Sequence, residues 1–378
     1  MERANLVIIG GGVVGCAIAR EVCAKADDVF LLEKSPKLGM ATSTRNSGVV
    51  HSGIYYPPEF LKATLCVAGN RLTKEFCAAH GVPHSNCGKI VVAAHESEIP
   101  ELEKLAENGR LNGVEGLRLV GRERIREREP HISAVAALEV PSTGIVSAEE
   151  LVKAYARVAA DRGANILTDA RVTGLESHSD FIAVSVEIGD PSDPETMVRE
   201  TIEAHCVVNS AGLYADEVAA MLGNTKYCIY PVRGEYAEVV QSKAYLVNGL
   251  VYPLPHHDRL SLGVHLTRTL WGTVLVGPTA RYIAEKDDYE HDRLPVEEFW
   301  NGARKLLPEL QLNDLQLAYS GIRPKLVPPN GHGMADFVIS RDSAHPRAIH
   351  LVGIESPGLT SAPAIAQRVA SLVSETLS

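Results

Sequence analysis

The chain lacks the features that would make it a disulfide scaffold, a metal protein, a membrane protein or a nucleic-acid binder. Its seven cysteines, Cys16, Cys23, Cys66, Cys77, Cys87, Cys206 and Cys228, are odd in number, with no Cys-x-x-Cys pair and no histidine at zinc spacing. Reduced, mostly buried thiols and a cytoplasmic setting are therefore expected, and no metal site. The longest apolar run, from Leu6 to Ala19, is broken by Gly10, Gly11, Gly12 and Gly15, and it falls short of the roughly 18–20 residues a membrane-spanning helix needs. A strand pattern begins by Asn5 and runs directly into a glycine cluster, unlike a secretory signal, so the N-terminus is expected to belong to the fold. Positive charge is also in deficit, with a formal net charge of -10. A nucleic-acid partner, which needs a basic surface, is not expected. A small anionic substrate stays open, because two or three local cations suffice to bind one.

What is present is enough apolar material, 45% of 378 residues, for one large or two medium domains. The run NLVIIGGGVVGCAIAREVCAKADDVFLLEK reads as a buried strand from Asn5 to Ile9, a helix from Val13 to Ala26 and a second strand from Asp28 to Glu33. Gly10, Gly12 and Gly15 form GxGxxG in the first turn, and Glu33 lies about 20 residues on, where a ribose-binding carboxylate belongs. The first glycine permits the turn, the second lets backbone approach a pyrophosphate, and the third lets helix and strand pack closely. Val13 and Val14 open the helix whose N-terminus faces the phosphates, and Lys34 adjoins the acid. A bound dinucleotide follows, and both FAD and NAD satisfy this pattern.

Further elements surround that unit. SAEELVKAYARVAADRG carries a capping box at Ser147 and Glu150, apolar residues at helical spacing and a stop at Gly163, and NILTDARVTGLE reads as one more strand. HCVVNSAGLYAD is a strand ending in a small-residue turn, and AIHLVGIESPGLTSAPAIAQRVASLVSETL is strand, Gly-Pro turn and helix. GRERIREREP reads as a solvated helix face. From about Ile229 to Ala280 the texture turns to strands. In one of them Leu260, Leu262, Val264 and Leu266 share a face, leaving Ser261, Gly263, His265 and Thr267 on the other. The expected fold class is α/β, α+β overall: a Rossmann-like dinucleotide-binding domain from discontinuous segments (1–80, 145–220 and 320–378) with an inserted mixed-sheet substrate domain (81–144 and 221–319).

Several separated stretches resemble one family, the FAD-dependent oxidoreductases of the D-amino acid oxidase and glycine oxidase superfamily, and within it the L-2-hydroxyglutarate dehydrogenase branch. They are GGGVVG with LLEK, RNSGVVHSGIYYPP running into LKATLCVAGN, CGKIVVA, PSTGIVS, NSAGLYAD, PVRGEY, GVHLTRT with VGPTA, SGIRPKL and ESPGLTSAPAIA. The resemblance implies FAD as cofactor. It implies that Ser43, Thr44, Asn46, Ser47 and Gly48 wrap the flavin diphosphate and ring edge, and that the chain from Gly48 to Tyr56 runs beneath the ring. It further places Val172 by backbone at adenine, Ala211 and Gly212 over the diphosphate, and Gly358, Leu359 and Thr360 at the flavin pyrimidine edge. Arg233 in PVRGEY is either a flavin neighbour or a structural ion pair.

By the same resemblance Arg323 in SGIRP forks onto a substrate carboxylate, a geometry that suits guanidinium. His265 or His51 is the expected base, with His265 preferred for its place on the polar face of its strand. A five-carbon diacid needs a second anionic pocket, for which Tyr55, Tyr56 and Lys325 are candidates. TST before RNSG and the proline-rich PKLVPPNGHGMADF after the arginine depart from the better-known 2-hydroxyglutarate enzymes. Oxidation of a glycerol 3-phosphate or of an amino acid such as glycine are the rival activities, and a purely structural flavin the rival of another kind. The electron acceptor is open among oxygen, a quinone and a second flavoprotein.

Overall fold

The computed structural model describes residues 2–193, 195, 197–255 and 263–377. The first strand, Glu2–Ile9, has Leu6, Val7 and Ile8 wholly buried, as a central strand covered on both faces requires. It pairs in parallel with Val29–Leu32 on one side and Val198–Asn209 on the other. Helix Val13–Val22 crosses between the first two strands and completes the expected βαβ unit. That helix stops short of Ala26 because the chain must reverse into the next strand, which it does through Asp28 at φ 53°.

Strand Asn165–Leu167 extends this eight-stranded sheet beside Val29–Leu32. NILTDARVTGLE, expected to be a single strand, is two: Asp169 at φ 50° breaks it, and Ala170–Ser177 turns away to pair with Ile182–Ile188. Ala348–Val352 lies parallel to Val198–Asn209 and carries Val338–Arg341 on its far side. Helix Val13–Val22 packs against Ala148–Asp161 and Gly358–Leu377, and Leu61–His80 packs on the last of these. Their buried contacts include Ile18, Leu151, Tyr155, Ile365 and Val369, each burying apolar surface that stabilises by roughly 1.5–3 kcal/mol per large side chain. Gly69 is required here, because a Cβ would lie 2.3 Å from the Thr360 carbonyl oxygen.

The second sheet has nine strands. Its spine is the antiparallel pair Tyr230–Val239 and Leu315–Lys325, which sets Val232 opposite Arg323 and Gly234 opposite Gly321. The expected domain boundary at residue 320 falls inside that second strand, which keeps its pairing to Lys325. His265–Arg268 runs between Leu250–Pro253 and Val274–Gly277, and Leu250–Pro253 continues onto Lys89–Ala93. Leu260, Ser261 and Leu262 of the expected alternation lie outside the described residues. Within them, His265 and Thr267 are both buried, so the polar face of this strand is a wall and not a solvated surface. Arg233 is also wholly buried, with its guanidinium 3.2 Å from the Glu235 carboxylate and 3.3 Å from that of Asp288, which makes it a structural ion pair. Among the described residues no helix is long and apolar enough to cross a membrane, no acid, histidine and cysteine cluster fits a metal, and all seven cysteines are free.

Candidate active site

A cavity of about 570 Å³ runs from the glycine-rich turn to the second sheet, so both halves of the expected site open into one space. Its first end is made mostly of backbone. Gly10 has φ 105°, and a Cβ on it would meet the Ser210 carbonyl oxygen at 2.6 Å. A Cβ on Gly12 would lie 2.9 Å from Ser43 Oγ, which itself accepts from the Val13 amide. The Glu33 carboxylate takes the Gly11 amide at 2.8 Å through one oxygen and the Ser35 amide at 2.8 Å through the other. It thereby ties the turn to the end of the second strand while lining the cavity. Val14, Lys34, Val172, Ala211 and Gly212 complete this end, and Gly358 and Leu359 also line the cavity. Lys34 lies over the Tyr214 ring, and burial lowers its proton affinity.

The loop from Thr42 to Ser47 bridges the two ends. Thr42 Oγ1 donates to the Ile322 carbonyl, and Tyr319 donates from the neighbouring strand to the Asn46 carbonyl. Ser43, Asn46 and Ser47 face the cavity. The Asn46 amide, however, is spent inside the loop, donating to Thr42 and Ser43 carbonyls while its oxygen accepts the Gly48 amide. Four residues expected at the cofactor do not line the cavity. Gly15 closes the helix onto the strand, where a Cβ would sit 2.0 Å from the Gly10 carbonyl oxygen. Thr44 donates to Gly39, Gly48 makes a turn at φ 67°, and Thr360 is buried behind the wall, accepting the His51 amide at 2.9 Å.

The second end is built from side chains. His51, Tyr55 and Tyr56 come from the loop after the short strand Val49–Val50, His265 and Tyr252 from the nine-stranded sheet, and Arg323 and Lys325 from strand Leu315–Lys325. The His51 main chain is clamped: its amide donates to Thr360, and its carbonyl accepts from Asn70 at 2.8 Å. Its Nε2 lies 3.3 Å from Ser356 Oγ, whereas its Nδ1 is buried without a partner. His265 stacks on Tyr252 with ring centres 3.9 Å apart and hydrogen-bonds the Gly263 backbone, while its Nδ1 is buried with no partner among the described residues. Arg323 lines the cavity and, among the described residues, has no carboxylate partner.

Electrostatics divides this end into bases and cations. Burial, reinforced by the positive charges of Lys89 and Arg323, pushes the His51 imidazole down to about 3, and burial with Arg323 and Lys89 holds His265 well below its ordinary value. Both rings are therefore neutral at physiological pH, with a bare nitrogen each. Burial pushes the Tyr55 and Tyr56 phenols far up, so both stay protonated donors.

The pattern in the sequence did not reveal Lys62 or Glu355. Lys62 Nζ lies 2.9 Å and Lys325 Nζ 3.4 Å from the Glu355 carboxylate, all three facing the cavity. Burial alone would push Glu355 up, but Lys62 and Lys325 together more than offset this and hold it ionised. The signal was a lysine inside an otherwise apolar helix start, FLKATLC, and an acid in the turn before a helix. Such residues stay charged in a core only when something pairs with them.

The donor set fits FAD. A glycine cradle that a Cβ would fill, amides at a helix N-terminus and a carboxylate at the ribose position suit its diphosphate and adenosine. His51 and His265 then line the end left for the ring and a substrate. The family model of FAD dependent oxidoreductases matches residues 5–372. The chain is 33% identical over 401 residues to the mitochondrial L-2-hydroxyglutarate dehydrogenase of Mus musculus, covering 96% of this chain and 86% of the relative. It is 34% identical over 405 residues to L-2-hydroxyglutarate dehydrogenase of Escherichia coli K12, covering 98% and 93%. Among solved structures, FAD-bound L-alpha-glycerophosphate oxidase from Mycoplasma pneumoniae superposes with TM-score 0.87 at 28% identity over 99% of this chain and 95% of that one. Glycine oxidase from Geobacillus kaustophilus shares the fold with TM-score 0.81 at 22% identity, over 99% and 95%. The chain belongs to the family of FAD dependent oxidoreductases.

Proposed function

We propose that the protein oxidises L-2-hydroxyglutarate to 2-oxoglutarate, with FAD as cofactor. The observation that carries this reading is the meeting, in one cavity with the glycine cradle, of the Arg323 guanidinium, which has no carboxylate partner among the described residues, and the imidazoles of His51 and His265. Arg323 takes the C1 carboxylate in two parallel hydrogen bonds, which fixes the orientation of C2. An imidazole of the His51 and His265 pair removes the hydroxyl proton as the carbonyl forms. FAD, when bound, supplies the two-electron acceptor for the hydride that leaves C2. Tyr55 and Tyr56, protonated and buried, donate to substrate oxygens and keep water out.

The charge balance supports a diacid. Lys62, Arg323 and Lys325 face this end against the single carboxylate of Glu355, a surplus of positive charge that a dianion neutralises and a zwitterionic amino acid does not. Lys62 and Lys325 hold the distal carboxylate. A phosphate monoester is also a dianion, and the glycerophosphate oxidase likeness makes it the second reading. Separate anaerobic additions of L-2-hydroxyglutarate, glycerol 3-phosphate and glycine to the FAD-loaded enzyme test this. Bleaching of the flavin by the first alone, with stoichiometric 2-oxoglutarate, is expected. Bleaching by glycerol 3-phosphate or glycine in its place overturns the substrate assignment. Readmitting air, a quinone or an electron-transfer flavoprotein then identifies the acceptor.

A further inference from the structure

Lys89 opens strand Lys89–Ala93, whose every residue is buried, and its own exposure is 0%. Buried lysines are normally paired with a carboxylate. Lys89 has none among the described residues. Its Nζ donates to the Tyr55 hydroxyl at 3.1 Å, and it lies over two aromatic faces, 4.3 Å from the Tyr55 ring centre and 4.7 Å from that of Tyr252. Both tyrosines line the cavity, and Tyr252 is the ring on which His265 stacks. An uncompensated cation is thus held one layer behind the reacting end by the residues that form its wall.

We propose that Lys89 is a positioning residue for the oxidation. Its bond to Tyr55 occupies the phenol oxygen and leaves the Tyr55 proton to point into the cavity, and its charge joins that of Arg323 in disfavouring a proton on the imidazole pair. The inference rests on the proposed imidazole base.

Burial is the larger cause for both rings, and the charges around the pair add to it, Lys89 among them. Toward His51 stand Lys89 and Arg323, with the Cys66 thiol on helix Leu61–His80 and Ser356 beside the last helix. Toward His265 stand Arg323, Lys89 and His51, with the Tyr252 phenol beneath the ring. Lys62, Lys325 and Glu355 form the remaining charged wall, two lysines sharing one carboxylate. Burial pushes Lys89 itself down to about 7. It is therefore charged throughout the acidic range in which an imidazole would gain a proton, and that is where its repulsion counts. Removing the charge raises the proton affinity of the pair, so the acidic limb of the pH profile must move upward.

The test is the pH dependence of kcat/KM, which reports the free enzyme, for FAD-loaded wild type, Lys89→Met, Lys89→Gln, Lys89→Arg and Tyr55→Phe. Flavin content is read in each from absorbance. Both charge-removing variants are expected to shift the acidic limb up by about one pH unit or more. Lys89→Arg is expected to keep the wild-type limb, and Tyr55→Phe to lower kcat/KM without moving it. A flavin-loaded Lys89→Met or Lys89→Gln whose limb coincides with wild type overturns the inference. Should His51→Ala and His265→Ala both retain wild-type kcat/KM, the imidazole base itself fails instead, which separates the two outcomes.

Discussion

The two ends of the cavity are made of different materials. At the dinucleotide end the functional groups are main-chain amides and the space left by absent side chains: Gly10, Gly12 and the start of helix Val13–Val22, tied down by one carboxylate, Glu33. At the substrate end they are side chains brought from five separated stretches, around His51, Lys62, His265, Arg323 and Glu355. A backbone site is local, so one turn carries it and its failure is all or none. A side-chain site is a sum of distant contributions, so its parts fail by degrees and set specificity.

That contrast orders the expected effects. Gly10→Ala is expected to be the most damaging, because the new Cβ meets the Ser210 carbonyl at 2.6 Å at a φ of 105°. The purified variant should be colourless, and a variant that retains stoichiometric flavin would break the account of that end. His51→Ala or His265→Ala should keep flavin but lose roughly 10²–10⁴ in the rate of anaerobic reduction, the range of a lost general base. The larger loss names the base. Arg323→Ala should lower kcat/KM on the order of 10²–10³-fold, the cost of one charge-assisted bidentate contact.

Lys62→Met sharpens the comparison further. The loss in kcat/KM should be about tenfold for L-2-hydroxyglutarate and much smaller for a 2-hydroxy acid lacking the distal carboxylate, in keeping with loss of one partly shared ionic contact. Equal losses for both acids would remove the distal-carboxylate role. The smallest effect is on pH. With His51 held at about 3, kcat/KM of the wild-type enzyme should stay level as pH falls from 7 to about 5, where a free imidazole near 6.5 would already be mostly protonated. A limb centred near 6.5 would show that neither ring is shielded from protonation.

The same contrast explains what could be read from the chain alone. GxGxxG with Glu33 and the capped helix Ala148–Asp161 follow from local spacing and stand where expected. Arg323, His51, Tyr55 and His265 were legible through resemblance, and they do face the cavity. Gly15, Thr44, Gly48 and Thr360 carry family motifs too, yet they shape the wall from behind, because a motif marks a place in the chain and not the direction of a side chain. The Lys62–Glu355 pair spans 293 residues, and the Lys325–Glu355 and Lys89–Tyr55 contacts join separate elements, which no local pattern encodes.

The most direct measurement is anaerobic stopped-flow absorbance near ~450 nm, the oxidised-flavin band, with L-2-hydroxyglutarate carrying hydrogen or deuterium at C2. The account predicts rapid bleaching that slows on deuteration in wild type and falls by orders of magnitude in Arg323→Ala at unchanged flavin content. A flavin that L-2-hydroxyglutarate leaves oxidised, or one that it bleaches equally fast in Arg323→Ala, would contradict it.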